Sequence, residues 1–213
     1  MTEVTTSARK DDHIRINLER DVQSDGVSTG LERLYFEHQA LPEMEMAAVD
    51  MALTVFGRKL SAPLLISCMT GGSAAAGEIN RALARAAQQA GVALGLGSMR
   101  AALEQPATVA SFQVREVAPN VLLLANLGAV QLNYGVGAAG CRRIVEMAQA
   151  DALVLHFNAL QEAVQPEGDT DFSGLLAKVE YVCTALARDG VPVVAKEVGW
   201  GFSEETCRSL AAA

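Results

Sequence analysis

The chain has 213 residues, of which 50% are hydrophobic and 20% are charged, and its formal net charge is -8 at neutral pH. This length and composition predict a globular chain with a large core, and the acidic balance argues against a general binder of nucleic acid or anionic membranes. The sequence has no apolar run of membrane-spanning length and no signal-peptide pattern at its polar start, so we expect a cytoplasmic protein.

The first 60 residues are predicted to form a cap that precedes the main domain, residues 61–213. Within this cap, residues 9–21 predict a short helix headed by the basic pair Arg9 and Lys10. The sequence after this helix has no regular hydrophobic period and contains only scattered apolar residues. Short strands are predicted at residues 49–51 and 53–55.

A repeat of strand and helix begins after the cap. Five apolar runs start at intervals of about 30 to 40 residues, and a segment of helical period follows each run. This spacing fits a strand, a crossover helix and a return, which predicts a parallel sheet covered on both faces. The runs are residues 64–69, 93–97, 121–125, 152–155 and 191–195.

Polar or glycine residues follow all five runs. Because the carboxyl ends of parallel strands are neighbours, we expect these residues to line one surface. A polar turn at one strand end is commonplace, but a lysine and a histidine at strand tips are costly to hold near a core without partners. The residues expected at this surface are Thr70, Ser98, Asn126, His156 and Lys196.

Two architectures fit the repeat. A doubly wound open sheet is complete with five strands, whereas a (β/α)8 barrel needs roughly three further βα units after residue 213. Against the open sheet, neither MTGGSAAAG nor GLGSMRAAL has the GxGxxG arrangement after the first strand. The sequence pattern alone leaves both architectures open.

Cations next to Gly, Ser and Thr donors suggest an anionic ligand. Arg9, Lys10, Arg100 and Lys196 form the kind of set that phosphate oxygens require. Considered alone, the pair Arg9 and Lys10 is better explained as solvated charges near a terminus.

The fourth apolar run is followed by a dense polar stretch. Gln161 and Glu162 place an amide beside a carboxylate, which suits orientation of a ligand and binding of Mg²⁺ through oxygen. Without context, an exposed helix start is the safer interpretation of this pair, and an isolated histidine such as His156 is more often a satisfied core residue than a catalyst.

The four cysteines are widely spaced and form no CxxC pair. They lie in apolar segments, which predicts reduced, buried thiols. They are Cys68, Cys141, Cys183 and Cys207.

Six strings, in chain order, resemble those of the type 2 isopentenyl-diphosphate delta-isomerases. The long fourth string is specific, whereas each of the others is only suggestive, and together they cover the chain from Arg9 to the last helix. The strings are RKDDHI, SCMTGG, LGLGSMRAAL, LANLGA, LHFNALQEAVQPEGDTDFSG and VAKEVGWGFS.

The resemblance implies a flavin-containing α/β protein, a (β/α)8 TIM barrel. This chain then covers an N-terminal cap and about five βα units, and the C-terminal units that complete the family's barrel are missing. The implied reaction is the interconversion of isopentenyl and dimethylallyl diphosphate by protonation and deprotonation with reduced FMN. Mg²⁺ is implied as the metal, NAD(P)H as the flavin reductant, and a homo-oligomer as the assembly.

The resemblance also implies roles for individual residues. Gln161 and His156 are the expected catalytic residues, and Glu162 is the expected Mg²⁺ ligand. Because an amide does not titrate near neutral pH, the role of Gln161 is positional. The expected substrate contacts are Arg9, Lys10, Ser98, Met99, Arg100, Asn158 and Gln161. The expected FMN contacts are Met69, Thr70, Gly71, Ser98, Asn126 and Lys196.

Two other functions stay open at this stage. Another FMN-dependent barrel oxidoreductase, such as a hydroxyacid oxidase, shares the flavin-facing strand ends but has no use for Arg9, Lys10 or Glu162. A non-catalytic fragment retains the first part of the fold and binds a partner. Because the family's flavin-phosphate segment lies beyond residue 213, we predict that residues 1–213 alone bind FMN poorly.

Overall fold

The computed structural model describes residues 6–23 and 26–213, with side chains described for residue 12 and from residue 14 onward. The first helix, α1, spans Thr6–Glu19 and confirms the helix predicted there. Arg9 and Lys10 lie on this helix, but their side chains are outside the described part, so their expected contact with a substrate stays a prediction.

A β-hairpin follows two single 3-10 turns in the cap. The turns are Leu31–Arg33 and Met46–Ala48, and the hairpin pairs β1, Leu53–Val55, with β2, Arg58–Leu60, in antiparallel register. This confirms the strand predicted at residues 53–55. The strand predicted at residues 49–51 is wrong, because this exposed segment has no neighbouring strand with which to pair.

The five predicted core strands form one parallel sheet. They follow one another in space in the order in which they occur in the chain, and every neighbouring pair is parallel. A doubly wound sheet reverses its strand order at a switch point, whereas a barrel does not, so the open-sheet alternative is wrong. The strands are β3, Leu65–Ile66; β4, Ala93–Gly95; β5, Leu123–Gly128; β6, Ala152–Phe157; and β7, Val193–Glu197.

Helices cover one face of this sheet. The best-defined is α2, Ala74–Ala90, which begins where Ser73 Oγ accepts a hydrogen bond from Ala76 N–H. It ends at Gly91, whose backbone is in the left-handed conformation that glycine adopts most easily. The other helices are α3, Arg100–Glu104; α4, Ala138–Ala148; α5, Ala159–Val164; α6, Leu175–Ala187; and α7, Glu204–Ala212, with 3-10 segments at Pro106–Phe112 and Ala129–Leu132.

The two faces of the sheet carry different cores because side chains alternate along each strand. Residues such as Leu123, Leu153 and Leu155 face the helices in the larger core. Their neighbours Leu124 and Val154 belong to a second core on the opposite, inner face, together with Leu53, Val55 and Leu60 of the β1–β2 hairpin. The hairpin therefore covers the inner face of the partial barrel.

The inner face changes character along the strands. Leu124 and Ala152 lie side by side in register near the start of β5 and β6, and further along His156 pairs in register with Gly128 on one side and Lys196 on the other. The same face is therefore apolar at its amino-terminal end and polar at its carboxyl-terminal end. The candidate site is therefore expected at the polar, carboxyl-terminal end of this face.

The cysteines are all free thiols, as expected. Cys68 and Cys141 are buried and Cys183 is half-buried, but the expectation of a buried thiol is wrong for Cys207, which is exposed on α7. Leu210 of this short helix packs against the larger core, whereas Cys207 stays uncovered. Within the described residues, the helices are all too short or too polar to cross a membrane.

Candidate active site

A cavity of about 160 Å³ opens at the carboxyl ends of the strands. It is smaller than the about 300–1,000 Å³ typical of small-molecule sites. All five strand ends contribute, with Cys68, Met69, Ser98, Arg100, Ala101, Gly128, Gln131, His156, Asn158, Gln161, Glu162, Gln165, Lys196 and Val198 as lining residues.

A histidine and a lysine stand next to each other on neighbouring strands at the base of this cavity. His156 Nδ1 lies 3.3 Å from Oδ1 of the fully buried Asn126. Because an amide oxygen only accepts, Nδ1 is the donor in this contact. The ammonium of Lys196 donates to the carbonyl oxygen of Glu197 at 3.1 Å.

Asn158 organises the polar stretch after β6. It precedes α5, so Gln161 and Glu162 lie three and four residues further on and face the same side of the helical turn. Asn158 Nδ2 donates to Gln161 Oε1 at 3.2 Å and to Glu162 Oε1 at 2.6 Å. Its side chain is 4% exposed, and its Oδ1 has no hydrogen-bond partner among the described residues.

A loop after α5 folds back onto these residues. The backbone N–H of Asp169 donates to Glu162 Oε2 at 2.8 Å. The Asp169 carboxylate in turn accepts from Arg100 Nη1 at 2.5 Å and from Gln131 Nε2 at 2.8 Å. The amide, carboxylate and guanidinium groups of the cavity thus form one continuous hydrogen-bonded network.

Arg100 is held on two sides. Its Nε donates to Glu104 Oε1 at 2.6 Å, on the opposite side from the bond to Asp169. Partial burial of the guanidinium lowers the pKa of Arg100, but the hydrogen bond and charge of Glu104 and the charge of Asp169 outweigh burial and raise it above its ordinary value. Arg100 is therefore a permanent cation at the edge of the cavity.

The structure brings together most of the residues singled out by the sequence. Those that line the cavity are Met69, Ser98, Arg100, His156, Asn158, Gln161, Glu162 and Lys196. Asn126 lies directly behind His156, and Thr70 and Gly71 shape the adjacent turn, where the Thr70 carbonyl oxygen accepts from Gly97 N–H at 2.6 Å.

Met99 lies elsewhere than expected. Its side chain is fully buried in the core between the sheet and the helices and does not line the cavity, because it points away from the strand end that Ser98 and Arg100 extend. Only its backbone takes part in the site, through an N–H that donates to the carbonyl oxygen of Asn126 at 2.8 Å.

Sequence reasoning missed Gln131 and Asp169. Gln131 lies in the 3-10 segment after β5, and no spacing marks it as a site residue. Asp169 lies within the specific string at the fourth run, which was the one available signal, but its partners are 38 and 69 residues away in the chain.

The strand order and the polar cavity at the carboxyl edge define part of a (β/α)8 barrel enzyme site. The family model of FMN-dependent dehydrogenases matches residues 7–151, which is more than half of the chain, and the chain belongs to this family.

The chain is also similar to proteins named isopentenyl-diphosphate delta-isomerase, which confirms the resemblance noted in the sequence. It is 54% identical over 206 residues to the one from Synechocystis sp., covering 97% of this chain and 58% of the relative. It is 51% identical over 208 residues to the one from Nostoc sp., and the match covers 98% of this chain and 59% of the relative. It is 51% identical over 202 residues to the one from Rickettsia bellii, and the match covers 95% of this chain and 58% of the relative. The chain thus spans less than two thirds of the length of these relatives.

Among solved structures, the fold is similar to a mandelate oxidase variant with the monooxide FMN adduct. The TM-score is 0.47 and the sequence identity 20%, and the match covers 77% of this chain and 48% of that one. At this level the similarity carries no further argument.

Proposed function

We propose that the protein is an isopentenyl-diphosphate delta-isomerase that interconverts isopentenyl and dimethylallyl diphosphate in isoprenoid biosynthesis. The observation that carries the proposal is the meeting of Arg100, Gln161 and Glu162 in one cavity of a chain that belongs to an FMN-dependent family. The diphosphate end of the substrate needs cations and a divalent metal to offset its charge. The alkene end needs only a non-titrating group that positions it. The names of the similar proteins support the same conclusion.

The strand ends fit FMN. Gly128 lines the cavity and has no side chain, so a flat ring can approach its backbone closely. Met69, which is 70% exposed, and the hydroxyl of Ser98 flank this surface, and Lys196 supplies a cation. We assign the flavin contacts to the ends of β3, β4, β5 and β7, with Met69, Thr70, Gly71, Ser98, Asn126 and Lys196 as the residues that hold FMN.

The carboxylate region fits Mg²⁺ only in company with a phosphate. Glu162 and the unpartnered Oδ1 of Asn158 offer hard oxygen donors side by side. The described residues contain no group of three or more His, Cys, Asp or Glu that could enclose a metal ion. Mg²⁺ is commonly bound by one or two carboxylates plus substrate phosphates, so we assign Glu162 as the protein ligand of a Mg²⁺ ion that a diphosphate completes.

The side chains of the cavity bind and orient the substrate. Arg100, with Arg9 and Lys10, offsets the charge of the diphosphate. Gln161 Oε1 is already held by Asn158, which leaves the amide NH₂ to direct the hydrocarbon end. His156 donates from Nδ1 to Asn126 Oδ1, which fixes the plane of its ring at the cavity wall, where it positions the substrate. Reduced FMN, regenerated with NAD(P)H, supplies the electron-rich ring and acid–base chemistry for the proton shift.

The proposal extends to the setting of the protein. We place it in the cytoplasm as a homo-oligomer, with no nucleic-acid or membrane partner. The net charge of -8 supports only the last part, because it disfavours attraction to nucleic acids and anionic lipid surfaces.

An anaerobic assay tests the proposal. The purified protein is supplied with FMN, NADPH and Mg²⁺, and the conversion of isopentenyl diphosphate is followed together with NADPH consumption. We expect many turnovers for each NADPH oxidised, since the reaction involves no net redox change. Glu162→Gln is expected to lose most of the activity, whereas Glu167→Gln, an exposed acid in the same region, retains it.

Two outcomes would overturn the proposal. Oxidation of a substrate in step with flavin reduction, without isomerisation, points to an oxidoreductase of the same family. A folded protein that contains the complete barrel of the family and shows neither a flavin spectrum nor conversion points to the non-catalytic alternative.

A further inference from the structure

Asp169 contacts both charged parts of the candidate site, although the sequence motifs assign it no role. Its carboxylate accepts from Arg100 Nη1 at 2.5 Å, and its backbone N–H donates to Glu162 Oε2 at 2.8 Å. No other described residue bridges these two groups directly.

We infer that Asp169 is a positioning residue that holds Arg100 and Glu162 in one fixed relative geometry. The inference rests on the proposed function, in which Arg100 meets the diphosphate and Glu162 the Mg²⁺ ion. Asp169 acts on the ligands through these two side chains and does not itself contact them.

Asp169 is anchored to the rigid part of the fold. Its carboxylate is 16% exposed and also accepts from Nε2 of Gln131, at 2.8 Å. Gln131 is 5% exposed and lies in the 3-10 segment that follows β5, so its hydrogen bond ties the loop to the sheet. A buried anchor of this kind holds the loop in place.

The loop also lies unusually close to α5. A Cβ built on Gly168 would lie 1.8 Å from the carbonyl oxygen of Glu162, a distance that only glycine avoids. This close approach brings the next N–H, that of Asp169, within reach of the Glu162 carboxylate.

Both oxygens of Glu162 are consequently fixed. Asn158 Nδ2 holds Oε1 and Asp169 N–H holds Oε2, so the plane of the carboxylate is set before a ligand arrives. Mg²⁺ demands near-ideal octahedral geometry, so a preset carboxylate plane favours its binding.

Arg100 is oriented in the same way. Glu104 accepts a hydrogen bond from Nε, and Asp169 accepts one from Nη1. Nη2 donates to none of the described residues and can donate to a ligand. An anionic ligand in the cavity is therefore met by a guanidinium whose orientation is already determined.

Metal binding by the full chain tests the inference without relying on catalysis. Binding of Mn²⁺, as a spectroscopic substitute for Mg²⁺, is measured by the change in the electron paramagnetic resonance spectrum on adding protein, relative to the same mixture of Mn²⁺ and inorganic pyrophosphate without protein. Asp169→Ala removes both carboxylate anchors and is expected to weaken Mn²⁺ binding by about 10- to 100-fold. Asp169→Asn keeps an oxygen acceptor for Arg100 and Gln131 and is expected to restore much of the affinity.

Asp171→Ala is the matched control. Asp171 is an exposed aspartate of the same loop whose carboxylate bonds only to Ser173, so its removal is expected to leave Mn²⁺ binding unchanged. The inference is overturned if Asp169→Ala binds Mn²⁺ as tightly as Asp171→Ala, or if the wild type binds no Mn²⁺ with pyrophosphate.

Amide hydrogen exchange of residues 158–169 provides a second readout. We expect faster exchange in Asp169→Ala than in Asp171→Ala, and equal rates also contradict the inference. Failure of the proposed function is recognised separately: a wild type that shows these differences but does not isomerise isopentenyl diphosphate retains the positioning role and loses the proposed reaction.

Discussion

Arg115 and Asp151 form an ion pair at the amino-terminal end of the sheet, with Arg115 Nη2 2.6 Å from Asp151 Oδ2. The side chains are only 14% and 15% exposed. Arg58 of the β1–β2 hairpin joins the same carboxylate at 2.7 Å, and Leu123 N–H donates to it at 2.9 Å. One carboxylate therefore fastens the cap hairpin to β5 and to the start of β6, at the end of the barrel opposite the cavity.

Replacement of Asp151 by Asn is expected to destabilise the fold. The variant loses charge-assisted hydrogen bonds, which lowers the free energy of unfolding by about 1.5–3 kcal/mol at neutral pH. Asp189→Asn is the control, because Asp189 pairs with Arg142 at an exposed site and such pairs contribute little. Urea unfolding of the two variants measures the difference, and equal losses would contradict the role of Asp151.

The stabilisation by Asp151 also depends on pH. Burial raises the pKa of the Asp151 carboxyl, but the hydrogen bonds from Leu123, Arg115 and Arg58 outweigh burial and lower the pKa below its ordinary value. A lowered folded-state pKa means that the stabilisation is complete above the unfolded-state value of about 3.9 and is lost as the pH falls through the folded-state pKa. The difference between wild type and Asp151→Asn is therefore expected to disappear in acid, and a constant difference down to the lowest pH would contradict the assignment.

Gly97→Ala is expected to disturb the turn after β3. A Cβ at this position would lie 2.5 Å from the backbone of Thr70, and Gly97 N–H donates to the Thr70 carbonyl oxygen at 2.6 Å. Overpacking of this kind costs about 1–3 kcal/mol of stability, and we expect weaker FMN binding as the turn shifts. Gly137→Ala is the control, because its Cβ meets nothing within 4 Å. Thermal unfolding and flavin titration check both variants, and equal behaviour would show that the Thr70 turn is not constrained by Gly97.

The sheet and the location of the site could be predicted from the sequence because both depend on local pattern. Apolar runs with polar ends marked all five parallel strands, and the carboxyl ends of parallel strands are always neighbours. The order of the strands could not be predicted in this way, because βα repeats of the same period build both open sheets and barrels.

The contacts that tie the site together could not be predicted from pattern. Arg58 meets Asp151 across 93 residues of chain, and Arg100 meets Asp169 across 69. Such contacts depend on how the sheet curves and where loops return, and neither leaves a period in the sequence. The burial of Met99 could not be predicted for a related reason. The geometry of the turn decides which of the first residues after a strand point into the core and which point into the cavity.

The cysteines are expected to differ in reactivity. Cys207 is exposed, whereas Cys141 is fully buried and burial raises the pKa of its thiol to about 11. Burial likewise raises the pKa of Cys68, despite a hydrogen bond to Asn126 and the charge of Lys196. Since the thiolate is the reactive form, iodoacetamide at neutral pH is expected to label Cys207 first, Cys68 at the cavity slowly, and Cys141 only on unfolding. Peptide mass mapping checks the order, and early labelling of Cys141 would contradict the packing of α4.

Lys196→Met is expected to lower the reduction potential of bound FMN. Lys196 lines the cavity beside His156, and a cation there stabilises the negative charge that a flavin gains on reduction. If the lysine favours the reduced flavin by at least tenfold in affinity, its loss shifts the two-electron potential by at least about 30 mV. Lys178→Met is the matched control, because Lys178 is exposed on α6 and donates to the Leu132 carbonyl oxygen outside the cavity. Spectroscopic titration of the bound flavin against a reference dye measures both potentials. A flavin that binds Lys196→Met with an unchanged potential would place the ring away from the end of β7, and would move the proposed flavin site toward β3 and β4.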